Sequence, residues 1–119
     1  MIALSNTAPA SEVSNPTADG NGVLANVTQI DYINLSSRNI TTSSSAQAAG
    51  TYKLVLADLT LTASGAVGPF RYIYIYNDAP IAPADPLIGL YDYGLSITLA
   101  SGDTFTIDFD QTAGVLTLA

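Results

Sequence analysis

At 119 residues the chain is one domain, and its net charge of −7 leaves three scattered cations, Arg38, Lys53 and Arg71. That is too few to neutralise a phosphate backbone or to dock on anionic lipid, so neither nucleic acid nor membrane is an expected partner. With neither cysteine nor histidine present, disulfides, thiolate metal sites and the usual neutral-pH base and nucleophile are all missing, so no enzyme activity is expected.

Charged residues make up only 11% of the chain, and Ser, Thr, Asn, Gly and Ala take their place. A surface of that kind costs little to desolvate against a partner, which favours an assembly component over a freely diffusing enzyme. No apolar run approaches the ~20 residues of a membrane span. The start, Met1-Ile2-Ala3-Leu4-Ser5, lacks the basic and long apolar regions of a secretory signal. Synthesis in a cytoplasm without export is expected.

Residues 1–22 read as an extended N-terminal arm, because Asn6, Pro9, Asn15, Pro16, Asp19, Gly20, Asn21 and Gly22 interrupt any period. Such an arm is held either by neighbouring subunits, the preferred expectation, or along its own domain. Residues 23–119 then form a single β-sandwich domain.

A first β segment is expected within 23–42, where Val27, Gln29, Asp31 and Ile33 alternate with Thr28, Ile30, Tyr32 and Asn34. Thr41 to Gly50 reads as a Ser/Thr/Ala-rich loop with room for a short helical turn at Ala46–Ala49. From Tyr52 to Ala63 the strand character returns. Leu54 and Leu56 differ in parity from Leu59 and Leu61, so a bulge or sharp bend is expected at Asp58.

The centre of the chain is Arg71-Tyr72-Ile73-Tyr74-Ile75-Tyr76. Alternation puts Ile73 and Ile75 on one face and Phe70, Tyr72, Tyr74 and Tyr76 on the other. Isoleucine suits a closed core. Tyrosine, with an apolar body and a hydroxyl, suits a second layer or a protein interface. The strand is therefore expected to be central and covered on both faces, with part of the tyrosine row, and Tyr91 or Tyr93, available to another subunit.

Asn77 to Pro86 holds three prolines and two aspartates and reads as an exposed contact loop. The remainder reads as a β-meander: Leu87–Tyr93, a bend at Gly94, and a row of Leu95, Ile97 and Leu99. A hairpin turn follows at Ala100–Asp103, then an inner row of Phe105, Ile107 and Phe109, and a last strand after Gly114. No stretch repeats apolar residues at helical spacing. The fold class is all-β, a β-sandwich or jelly-roll-like domain with an extended N-terminal arm.

Asp108 and Asp110 alternate with core residues and so point outward, which suits a solvated acidic face better than an acid/base pair. The Asp78–Asp85 loop offers some oxygens to a divalent cation but no EF-hand spacing, and no cofactor or metal is expected.

Two segments carry a resemblance: Arg71-Tyr72-Ile73-Tyr74-Ile75-Tyr76-Asn77-Asp78 with Leu87-Ile88-Gly89-Leu90-Tyr91-Asp92-Tyr93-Gly94, and the run from Ala100 through Asp110 to Gly114-Val115-Leu116-Thr117-Leu118. Over roughly residues 70–119 this resembles small virion proteins of tailed bacteriophages, of the capsid decoration (cement) type. The resemblance implies a structural role on the virion: binding the outer capsid surface, bridging subunits of the major capsid protein, and self-association, as a homotrimer. A tail or head-fibre component that binds a receptor or glycan is the alternative it leaves open. The contact residues expected on this reading are Met1, Ile2, Leu4, Pro9 and Pro16 in the arm, Tyr72, Tyr74 and Tyr76 in the tyrosine row, and Asp78, Pro80, Pro83 and Pro86 in the loop.

Overall fold

A computed structural model describes residues 1–119 as an all-β chain whose only helical pieces are two short 3₁₀ turns, Pro9–Ser11 and Leu24–Asn26. The strands are β1 (Ile2–Ser5), β2 (Thr42–Ala48), β3 (Thr51–Leu56), β4 (Leu59–Thr62), β5 (Val67–Tyr76), β6 (Leu87–Leu99), β7 (Thr104–Ile107) and β8 (Leu116–Leu118). All pairings are antiparallel, and the strand orders are β1-β5-β6, β2-β3-β8 and β4-β7.

The apolar core collects Ile2, Leu4, Ile73 and Ile75 from the first sheet, Leu56 from the second, and Leu61 and Ile107 from the third. Asp58 marks the break between β3 and β4, as the change of leucine parity predicts. Its carboxylate accepts the Phe109 N–H at 2.9 Å, so the bend satisfies a backbone donor just past the end of β7, the strand that pairs with β4.

β5 is central in its sheet and covered on both faces. The tyrosine side forms a second, smaller cluster: Tyr72, Tyr74 and Tyr76 with Ala3 and Val27, flanked by Met1, Ala8, Leu24, Leu87 and Leu90. Phe70 departs from the expected alternation and joins the isoleucine core, meeting Phe105 edge-on at 5.4 Å between ring centroids. The reason is a break in the β5–β6 register between Phe70 and Tyr72. Phe70 faces Ile97 and Tyr72 faces Asp92, so β6 advances five residues while β5 advances two. Gly94, with φ of 93°, lies in the surplus stretch where only glycine turns freely.

The structure revises several sequence expectations. Residues 1–22 are not an arm with a boundary at residue 22. Ile2–Ser5 is a buried edge strand, paired Ile2↔Ile75, Ala3↔Tyr74, Leu4↔Ile73 and Ser5↔Tyr72, and all four residues are buried. The four residues are apolar or small and precede the first breaker, so they carry strand character too short to stand out from the turn formers that follow.

Of 23–42, only Thr42 joins a strand, β2, and the rest forms isolated bridges, Val23↔Pro86 and Leu35↔Ala63. This segment lines the outer edge of β1 rather than adding a ladder: the Ile30 N–H donates to Leu4 C=O at 3.0 Å and the Ile2 N–H to Arg38 C=O at 3.1 Å.

Thr41 to Gly50, expected as a loop, is mostly β2. It pairs with β3 across a two-residue turn, Ala49-Gly50, whose φ angles of 50° and 82° are those of a type I′ hairpin. The alternation that reveals a strand is lost here because both of its faces are exposed. Ala100–Asp103 is a turn, with the Asp103 N–H bonding to Ala100 C=O at 3.0 Å, but it is not a hairpin. It carries the chain from β6 into the sheet of β4, so no meander forms.

Two stability measurements follow. Leu4→Ala leaves a cavity at a fully buried site and is expected to cost about 2 to 5 kcal/mol in denaturant unfolding. Ala49→Asn relieves an alanine held in the left-handed region and is expected to raise stability by about 0.5 to 1 kcal/mol in the same assay.

Candidate functional site

The contact residues expected from sequence divide sharply by exposure. Ile2, Leu4, Pro16, Tyr72, Tyr74 and Tyr76 are buried inside this chain and cannot face a partner, while Met1 and Pro9 are half-buried. The covering layer for the tyrosine row is supplied by the chain's own first thirty or so residues, as the N-terminus returns across β5 and β6. Met1 shows how closely: its ammonium donates to Tyr76 C=O at 2.9 Å, and the Tyr76 N–H donates to Met1 C=O at 3.0 Å. Burial lowers the pKa of this amino group.

The loop keeps its expected exposure. Asp78 and Pro83 are exposed, with Pro80 and Pro86 half-buried at its flanks. Its base is fastened by the Asn77 N–H to Pro86 C=O bond at 3.0 Å and by the Leu24 N–H to Asp85 C=O bond at 3.0 Å. The tip carries Ile81, 91% exposed.

Two exposed surfaces emerge beyond the loop. The first is the outer part of β6, where Tyr91 (45%), Tyr93 (52%) and Leu95 (60%) stay open to solvent. Tyr91 and Tyr93, two apart, share a row, and Leu95 lies beyond the bend at Gly94. Tyr93 meets Phe105 edge-on at 5.5 Å and Tyr91 meets Phe109 at 6.4 Å between centroids, so the rings are braced by the core behind them. Beside them a groove of about 390 Å³ runs between β6 and β7, lined by Ile73, Tyr91, Asp92, Tyr93, Phe105 and Thr106 among others. Rigid aromatic rings that are already ordered lose little entropy when a partner covers them.

The second surface is β2. All seven residues, Thr42-Ser43-Ser44-Ser45-Ala46-Gln47-Ala48, are exposed, and none is charged. β3 occupies one side of this strand and nothing pairs with the other. A strand edge of this length without charge or proline is a template for another strand. Sequence reading missed it because Ser and Thr are as common in loops as in exposed strands. The one available signal was the Ala49-Gly50 pair sitting between two runs of compatible length.

Most carboxylates have structural duties. Asp92 takes Arg71 in a two-pronged pair at 2.6 and 2.8 Å, and that hydrogen-bonded cation, helped by the Gly94 N–H, lowers its pKa to about 2. Asp110 accepts from the Thr112 and Ala113 amides, which lower its pKa and cap the turn before β8. Glu12 holds the N–H and hydroxyl of Thr28, at 2.8 and 2.7 Å. No group of three or more Asp, Glu, His or Cys side chains converges where it could hold a metal ion. No helix is long and apolar enough to cross a membrane.

Tyr74 is the exception among the buried polar groups. It is 1% exposed, and its hydroxyl has no hydrogen-bond partner. Burial, with the Glu12 carboxylate next, pushes its pKa to about 12.

The chain matches no family model, no curated protein and no solved structure.

Tyr74→Phe provides a test of this packing. Removing an unpartnered buried hydroxyl is expected to leave stability unchanged or raise it by about 1 kcal/mol. The raised pKa also sets a sign. Below pH 10 the phenol is neutral folded and unfolded, whereas between pH 10 and about 12 only the unfolded chain ionises, so stability falls as pH rises through that window. The difference between wild type and Tyr74→Phe in urea unfolding is therefore expected to widen in favour of the variant above pH 10.

Proposed function

We propose that the chain is a structural protein of an assembled particle: a decoration protein that binds the outer surface of a tailed-phage capsid and braces its lattice by bridging major-capsid subunits. The sequence resemblance supplies the phage setting. One structural observation supports the assembly role: a set of accessible apolar and neutral groups sits on strands, Tyr91, Tyr93 and Leu95 on β6 and the uncharged edge of β2. Binding on such a surface is mechanical. It requires no charge compensation and no chemistry, only burial of rings already fixed in place.

The first residues cannot serve as the bridging segment, since β1 is part of the core. The bridging contacts on this reading fall to the β6 row, the β2 edge and the Asp78–Pro86 loop. Self-association as a homotrimer, which the resemblance implies, belongs to the same proposal and uses the β6 surface and the Asp78–Pro86 loop.

A head-fibre or tail module that binds a glycan is the second reading. The groove beside Tyr91 and Tyr93 favours it, because exposed rings next to Asp92, Thr104 and Thr106 suit a sugar's apolar face and hydroxyls.

Copy number separates the two. Quantified bands from purified virions are expected to show a stoichiometry comparable to the major capsid protein; a far scarcer band points to the fibre reading. In a capsid-binding assay, a Tyr93→Asp, Leu95→Asp double variant is expected to lose roughly tenfold or more in affinity, because both side chains are exposed on the outer part of β6. Undiminished binding removes the β6 surface from the mechanism.

A further inference from the structure

The open strand edges of this chain are not equivalent. β7 is bounded by Asp103 and Asp108, and β6 carries Asp92. β8 is three residues long, and β1 is covered on its outer side by residues 30–38. Short length, charge and cover are the usual means of keeping edges from pairing. β2 alone has seven residues, all exposed, with no charge and no proline. Its single irregularity is a bulge at Ser43, near the end far from the turn.

We propose that β2 pairs edge to edge with β2 of a second copy of this chain, about a two-fold axis. Charge argues for a second copy. Two chains of net charge −7 repel one another, and the contact that avoids adding to this is one with no carboxylate on either side. β2 meets that condition with itself.

The register follows from the hairpin. Across a two-residue turn the flanking pair, Ala48↔Thr51, is the hydrogen-bonded one. Alternation then makes Ala46↔Lys53 and Ser44↔Val55 hydrogen-bonded to β3 as well. The N–H and C=O groups of Ser45 and Gln47 therefore point away from β3. With the axis at Ala46, Ser45 of each copy meets Gln47 of the other, and the two pairs exchange about four main-chain bonds. Ala46 faces its own counterpart as a non-hydrogen-bonded pair, the closer kind, where a small side chain fits best. Ser44 faces Ala48. The pairing uses only the regular part of the strand beyond the bulge. Where copies also gather in threes, this is a contact between trimers.

The test uses two substitutions that leave the hairpin intact. Ala46→Glu places a carboxylate opposite Lys53 within the chain, which is favourable, but opposite an identical carboxylate across the axis, which is not. Ser45→Pro removes an outward N–H that the β3 ladder does not use. Sedimentation of the isolated full-length chain, up to submillimolar concentration, is expected to give wild type twice the mass of either variant. An NOE between Ser44 Hα of one copy and Ala48 Hα of the other, in a mixed-isotope sample, is expected only for wild type. Equal masses for wild type and Ala46→Glu, or a doubled mass that survives both substitutions, overturns the proposal. Because the measurement is made without capsids, its failure leaves the decoration reading to be decided by virion copy number.

Discussion

Four buried residues at the head of the chain, Ile2 to Ser5, complete the edge of β5 that β6 leaves open. Their side chains alternate between the two apolar clusters: Ile2 and Leu4 join Ile73 and Ile75, and Ala3 lies with Tyr74. A small residue is needed at position 3, because the large tyrosine ring already fills that face. The outer edge of β1 is then closed by groups from the segment that follows. Tyr32 accepts the Leu4 N–H at 2.9 Å, and the Arg38 guanidinium donates to Ile2 C=O at 2.5 Å while stacking 3.8 Å above the Tyr32 ring. Polar groups brought this deep require partners, and side chains and irregular backbone from residues 30–38 supply them.

Because β1 is buried against β5, the first thirty residues have a fixed course. They pass over the tyrosine face and return to line the edge of their own strand. The same arrangement explains why the tyrosine row is silent as an interface: its covering layer is intramolecular. Outside lie, among others, the outer part of β6, braced from behind by Phe105 and Phe109, and the β2 edge. With many of the carboxylates occupied as turn caps or paired with Arg71, these two surfaces are neutral and already ordered. Such surfaces suit lattice contacts, where association relies on shape and small desolvation costs rather than on charge.

Much of the interior was legible in the chain. Isoleucine and tyrosine in strict alternation marked β5 and its two covered faces, the leucine parity located the break at Asp58, and Phe105, Ile107 and Phe109 turned inward as their spacing implies. Those signals are local: each follows from which side of a pleat a residue faces. The surface assignment was less legible. Tyr72, Tyr74 and Tyr76 have the composition of an interface and the exposure of a core, and nothing in their own spacing distinguishes the two.

All-β character, the central strand and the exposed proline loop were thus determined by the sequence alone, through alternation and turn chemistry over a few residues. Tertiary structure decided which strands pair. It alone made Ile2–Ser5 a core strand, turned Thr42–Ala48 from loop to open edge, moved Phe70 to the isoleucine side and sent Ala100–Asp103 between sheets. The physical reason is range. A strand's faces are written in adjacent residues, but its neighbours come from positions as far apart as Ile2 and Ile75, and only closing that distance reveals which groups are covered and which stay free.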